Sequence, residues 1–230
     1  MDFCETHCVS PTTPSCRLQL AGQSVELLPE RALWWPAGGA LFVADVHLGK
    51  AAAFRALGQP VPFGTTARNL QRLDALIEQH RPRELVVLGD FLHGIHGRTR
   101  QLLDDLAEWR THHESLRCVL VRGNHDSLAG DPPPALHFDI VDEPYLIGPF
   151  AACHHPQRHA THFVLAGHLH PVCKLHGRGR DSMRMPCFVR DEQRLILPAF
   201  GEFTGGWPVE AANGRHFYGI GGDAVWPLSN

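Results

Sequence analysis

Five short clusters carry much of the chain's chemistry-bearing potential: Asp45-Val46-His47, Gly89-Asp90, Gly123-Asn124-His125-Asp126, His154-His155-Pro156 and Gly167-His168-Leu169-His170. Their donors are carboxylate, imidazole and amide, with no thiolate among them. Such a set suits Mn, Fe, Zn or Ni better than it suits a structural cysteine–zinc site. Asp45 and His47 stand two apart, as do His168 and His170, so in extended backbone each pair faces one side. Gly89, Gly123 and Gly167 each precede a polar residue, where glycine permits a tight turn and a close backbone approach. Seven donors of these types exceed the needs of one ion and are about right for two ions sharing a carboxylate.

Something must aim these clusters, and each follows an apolar run: Leu41–Ala44, Leu85–Leu88, Cys118–Val121, Phe150–Cys153 and Phe163–Ala166. Runs of this kind read as buried strands. In α/β sheets ligands bind beyond the carboxyl ends of strands, so the five clusters point to one place. A lone Asp-x-His is an ordinary turn; the inference rests on all five in order, each after an apolar strand. Helices are predicted over 65–80, with Thr65 or Thr66 as cap and Leu70, Leu73 and Ile77 on one face, and over 98–112, where Leu102, Leu103, Leu106 and Trp109 recur. A hairpin is predicted from 17–20 and 24–28, with further strands at 33–35, 188–189, 195–197 and 216–220. Alternation of strand and helix in the first half implies parallel βαβ units, and the strand-rich second half an antiparallel or mixed sheet. The expected fold is α/β, two packed mixed β-sheets flanked by helices.

The chain has 230 residues and a formal charge of −3, with 43% hydrophobic and 20% charged residues. That is ordinary globular usage for one domain, expected over 17–230 behind a mobile tail at 1–16. Near-neutral charge argues against coating nucleic acid by bulk electrostatics and leaves room for a local basic groove. No apolar run approaches the ~20 residues of a membrane span, and no secretory signal is expected at the start. Seven scattered cysteines without a C-x-x-C pair then imply reduced thiols and a cytoplasmic location. Cys4, His7 and Cys8 alone are a weak case for a metal site.

In their order, Asp-x-His, Gly-Asp, Gly-Asn-His-Asp, a His segment and Gly-His-x-His resemble the motifs of calcineurin-like metallophosphoesterases, whose fold is an αββα sandwich. Leu197-Pro198-Ala199-Phe200-Gly201 and the stretch 45–64 resemble one bacterial subfamily, the ligase-associated DNA damage response endonucleases. The resemblance implies one metal on Asp45, His47 and His170, a second on Asn124, His154 and His168, and Asp90 between them. His155 competes with His154 for its place. It also implies two divalent ions, Mn2+ foremost with Zn, Fe or Ni as substitutes, and hydrolysis of a phosphodiester by a hydroxide held between them. Asn124 is then expected to stabilise charge on the phosphoryl oxygens, His125 to protonate the leaving oxygen, and Asp126 to orient that imidazole, unless it only caps the next segment.

The implied substrate is DNA, single-stranded or flexible, in a repair pathway shared with a ligase and a helicase and away from membranes. The alternatives are a phosphodiesterase or phosphatase for nucleotides or other small molecules, and a scaffold of the same fold without catalysis. Between Lys174 and Arg194 the chain is net basic, so Arg178 and Arg180 are candidates for a phosphate-facing wall, with Arg55 and Arg158 as further contacts. His93 is either a substrate contact or a polar loop residue. Trp207 and Phe203 are expected in the core, with stacking on a single strand as the other role. Other chemistries fail on spacing. Cys153 and Arg158 are one residue too close for a cysteine-phosphatase loop, Gly49-Lys50 lacks the rest of a P-loop, and no Gly-x-Ser-x-Gly is present.

Overall fold

The computed structural model describes residues 15–176 and 182–228. Most of the expected tail, with Cys4, His7 and Cys8, lies outside the described residues, as do Arg178 and Arg180.

The apolar runs become strands because both their faces are covered. The first sheet runs in order β1 (Cys16–Leu20), β2 (Gln23–Leu28), β3 (Ala32–Trp35), β4 (Ala40–Val43), β5 (Glu84–Leu88), β6 (Arg117–Val121) and β7 (Phe138–Val141). β1 to β4 pair antiparallel and β4 to β7 parallel. Alternate residues face opposite ways. Leu41, Val43, Leu85, Val87, Cys118 and Leu120 meet helices α2 (Thr65–His80) and α3 (Arg100–His112) through Leu70, Leu73, Leu76, Leu102 and Leu106. Phe42, Ala44, Val86, Leu88 and Val121 meet Phe150, Ala152, Leu165 and Leu195 of the second sheet. Each fully buried Leu, Val or Phe contributes about 1.5–3 kcal/mol relative to exposure.

The second sheet contains β8 (Tyr145–Ile147), β9 (Phe150–Ala152), β10 (Phe163–Ala166), β11 (Pro171–His176), β12 (Ser182–Arg190), β13 (Arg194–Ile196), β14 (Trp207–Pro208), β15 (His216–Gly221) and β16 (Ala224–Leu228). β9, β10 and β13 are parallel neighbours, β11 pairs parallel with β14, and the remaining ladders are antiparallel. The expected arrangement of two packed mixed sheets with helices outside is the one observed. Two short helices, α1 (Lys50–Ala56) and α4 (Asn124–Ala129), add to it.

Parallel register is what gathers the clusters. Val43 pairs with Val87 and Leu88 with Val121, so the segments after β4, β5 and β6 leave one edge together. Ala152 and Leu165 do the same for β9 and β10. The edges are tied by backbone hydrogen bonds: Asp45 to the Gly89 carbonyl, His47 to Asp90, Gly167 to His154, and Phe200 to Ala44. One local detail differs from expectation. Helix α2 is entered through Gly64 at φ 85, with no side-chain cap from Thr65 or Thr66. A left-handed residue costs glycine little.

Candidate metal centre

The ligand-type side chains converge, but not through extended backbone. Asp45, His47, Asp90, His168 and His170 have φ of 53°, 49°, 54°, 70° and 46°. Each Asp-x-His or His-x-His pair is therefore two left-handed turns flanking one residue, correcting the extended geometry expected from spacing. Asp and His tolerate that region better than most side chains.

Asp45 and Asp90 are buried, at 0% and 2% exposure. Asp45 Oδ2 accepts from the His168 N–H at 2.8 Å, while Oδ1 is buried without a hydrogen-bond partner. Around Oδ1 stand His170 Nε2 at 3.4 Å and His154 Nδ1 at 3.9 Å. Asp90 Oδ1 accepts from the His125 N–H at 2.9 Å and lies 3.7 Å from His154 Nε2, while Oδ2 lies 3.7 Å from His47 Nε2. His47 Nε2 and His170 Nε2 are 3.4 Å apart. His154 Nε2 is 2.8 Å from Asn124 Oδ1 and 3.0 Å from His168 Nδ1. Ligand atoms sharing an ion at about 2.0–2.1 Å are held at such separations.

Backbone carbonyls set the tautomers. His154 Nδ1 faces the Leu88 carbonyl at 3.1 Å and His170 Nδ1 the Thr204 carbonyl at 3.2 Å. Protons on those nitrogens leave both Nε2 lone pairs aimed inward, the usual support of a metal-bound histidine. Burial pushes His47, His154 and His168 below the ordinary imidazole range, toward the neutral form a metal needs. His170 is held above it, burial being outweighed by the Asp45 carboxylate beside its Nε2 and by the Thr204 carbonyl at its Nδ1. Buried carboxylates require a paired cation or a metal, so a buried Asp45 oxygen with no hydrogen-bond partner, set beside imidazole nitrogens, fits a divalent ion. Among the described residues, Asp45, His47 and His170 form one group able to hold an ion, and Asp45, Asp90 and His154 another.

His154 is wholly buried, whereas the neighbouring His155 is exposed and pairs with Glu143 at 2.7 Å. Glu143 also accepts from the backbone N–H groups of both histidines, at 2.7 and 2.9 Å. His125 Nδ1 meets the His93 carbonyl at 2.9 Å. That is a correction: the Asp126 carboxylate does not hold the imidazole. It accepts from the backbone N–H groups of Asp90, Phe91, Leu92 and Gly123 at 2.7–3.2 Å, locking the turn after β5 to the start of α4. Its reach is fixed because Asp126 begins inside α4 and points back at the strand ends. Gly123 is required where the two segments touch, since a Cβ there would lie 2.4 Å from Asp90 Oδ1.

His93 joins the cluster. Its Nδ1 is 3.3 Å from His47 Nδ1, its ring stacks on His125 and Phe54, and burial with nearby Lys50 lowers it to about 4. Lys50 is a residue of the cluster that the five sequence motifs do not contain. It opens α1 directly after the first cluster, over the Phe54 ring at 5.9 Å, where burial lowers it and Asp45 and Asp90 oppose that. Its signal in the sequence is a cation three residues beyond the histidine of the first cluster.

The expected phosphate contacts are placed otherwise. Arg55 donates to the Val61 and Pro62 carbonyls and lies over the Phe63 ring. Arg158 lines a separate cleft with Asp191 and Arg194, where β13 begins, at the strand end opposite the cluster. Arg194 is spent on Asp191 and the Pro156 carbonyl, while Lys174 and Arg184 stand exposed in cross-strand register. Trp207 and Phe203 are exposed, not in the core.

The family model for calcineurin-like phosphoesterases matches residues 40–178. The crystal structure of Pseudomonas putida nuclease MPE superposes with a TM-score of 0.83 at 48% identity, covering 93% of this chain and 100% of that one. A phosphoesterase from E. coli, YfcE, aligns at 18% identity with a TM-score of 0.37, over 81% of this chain and 95% of its own. No curated protein sequence matches the chain.

Proposed function

The chain belongs to the calcineurin-like phosphoesterase family and is a metal-dependent phosphoester hydrolase, and from that premise we propose that it is a DNA endonuclease working in repair. Asp45, His47 and His170 hold one divalent ion in this reading, Asn124, His154 and His168 the other, with Asp90 reaching both. The observation that carries it is the buried Asp45 Oδ1 without a hydrogen-bond partner, 3.4 Å from a His170 Nε2 whose ring is tied on its other side to the Thr204 carbonyl. The nuclease assignment is supported by the 48% identity to a nuclease along nearly the whole chain. Mn2+ is the first candidate ion, on the subfamily resemblance of the segments 45–64 and Leu197–Gly201, which also brings a ligase and a helicase as pathway associates.

When bound, two divalent cations polarise phosphoryl oxygens and acidify water to near neutrality. The protein's own part is orientation and proton handling. Asp126 fixes the backbone that carries Asp90, and Asp90 in turn holds the His125 N–H. With its Nδ1 proton on the His93 carbonyl, the His125 ring presents Nε2 to the leaving oxygen. Donation from an Nε2–H of the imidazolium returns the ring to the neutral tautomer that carbonyl already favours. Asn124 and Lys50 line the same edge and favour negative charge there.

The test is chelator-stripped protein reloaded with Mn, Zn, Mg or Ni and offered single-stranded DNA, duplex DNA, a cyclic dinucleotide and an aryl diester. Cleavage of DNA with Mn2+ is expected. His125→Ala should keep its metal and lose about 10²–10⁴-fold in turnover on DNA, and Asp90→Ala should lose both. Hydrolysis of the small diesters alone, under every ion, would favour the small-molecule reading.

A further inference from the structure

Trp207 is 72% exposed, yet its backbone is tied to the candidate centre. Its N–H donates to the His170 carbonyl at 3.0 Å, and β14 sets it in register with Pro171. Gly206 makes that approach possible, because a Cβ there would lie 2.2 Å from Val172 Cγ1. The same loop supplies the Thr204 carbonyl that faces the His170 ring. Trp207, Thr204 and Gly206 share with His168 and His170 a cleft of about 340 Å³. A second aromatic on this loop, Phe203, is 50% exposed at φ 64°, a left-handed conformation that is an outlier for a bulky side chain. Folding alone gains nothing by leaving a large indole in water, and the loop that leaves it there is the loop that positions a candidate ligand.

We propose that Trp207 is a stacking platform for an unpaired nucleobase flanking the phosphate held at the centre. The inference rests on the nuclease reading and assigns a residue to the recognition of the single-stranded or flexible substrate that the resemblance implies. Every base has a π-face, so such a platform tolerates any sequence. It demands a base free of duplex stacking, because a paired base has both faces covered. The chain therefore selects single strands, or duplex ends and flaps that release a base.

The test keeps the phosphates and removes the bases. Wild type, Trp207→Ala and Trp207→Phe are assayed with Mn2+ on a single-stranded oligonucleotide and on the same strand carrying tetrahydrofuran abasic units through the cut region. On the base-bearing strand, Trp207→Ala should lose roughly 5- to 150-fold in kcat/KM, mainly through KM, the span of base–aromatic stacking. Trp207→Phe should recover most of it, and the abasic strand should separate the proteins far less. Equal losses on both strands would make the indole a support for the His170 segment and overturn the proposal, as would no loss on either. If wild type hydrolyses a small diester but neither strand, the nuclease reading has failed first.

Discussion

At the level of single residues, Asp126 decides more than its place in a Gly-Asn-His-Asp motif suggests. One carboxylate accepts four backbone N–H groups from two segments that are far apart in sequence. Asparagine keeps one accepting oxygen and turns an NH2 toward N–H groups that need an acceptor. Asp126→Asn is therefore expected to cost about 1–3 kcal/mol in urea unfolding. It should also lower metal affinity about 10–100-fold, the usual effect of removing a ligand's support. Unaltered metal titration would show that Asp90 is held by other means. The identities of the ligand-type residues were legible because Asp, His and Asn follow apolar runs. Their left-handed backbone was not, since spacing reports period and not the sign of φ. Nor was the His93 carbonyl legible as the partner of His125, because a backbone acceptor leaves no residue-type signal.

Among the elements, legibility followed burial. Strands β4, β5 and β6 are covered on both faces, and beyond Glu84 and Arg117 at the starts of β5 and β6 they appear as unbroken apolar runs. Helices α2 and α3 are long enough to show a face. Helix α1, seven residues, and α4, six, are too short for periodicity to register, and two-residue β14 has no pattern at all. These small elements carry Lys50, Asn124, His125 and Trp207. The end of β6 is secured differently, by Arg122, whose guanidinium holds Asp131 through two bonds of 3.0 and 2.9 Å and Asp142 at 2.7 Å. The Arg122 hydrogen bond holds the Asp131 carboxyl below its ordinary value of 3.8. A carboxylate lowered on folding stabilises above its unfolded pKa, and that stability disappears as pH falls through the lower folded value. Both side chains are partly exposed, so Asp131→Asn should cost no more than about 1 kcal/mol at pH 7. Denaturant midpoints should show the cost shrinking as pH drops from just below 4. A difference that grew in acid would contradict the pairing.

For the whole molecule, folding brings two buried carboxylates together before any cation need arrive. Strand order makes this unavoidable: β4 and β5 are neighbours in parallel register, so Asp45 and Asp90 must emerge side by side. Lys50 is a cation near both, and it is itself held low by burial. An ion that enters the centre of the folded chain finds ligands which the unfolded chain holds far apart, so binding adds directly to stability. At a free ion concentration of one hundred times Kd the gain is about 2.7 kcal/mol. For a chain of this size each kcal/mol is worth about 2–4 °C. Chelator-stripped protein should therefore gain roughly 5–11 °C in Tm on addition of Mn2+. Asp90→Asn should lose most of that gain, while Arg158→Ala, on the far cleft, should keep it. Equal shifts in wild type and Asp90→Asn would place the stabilising ion away from this edge of the sheets, and with it the assignment of Asp90 as the shared ligand would fall.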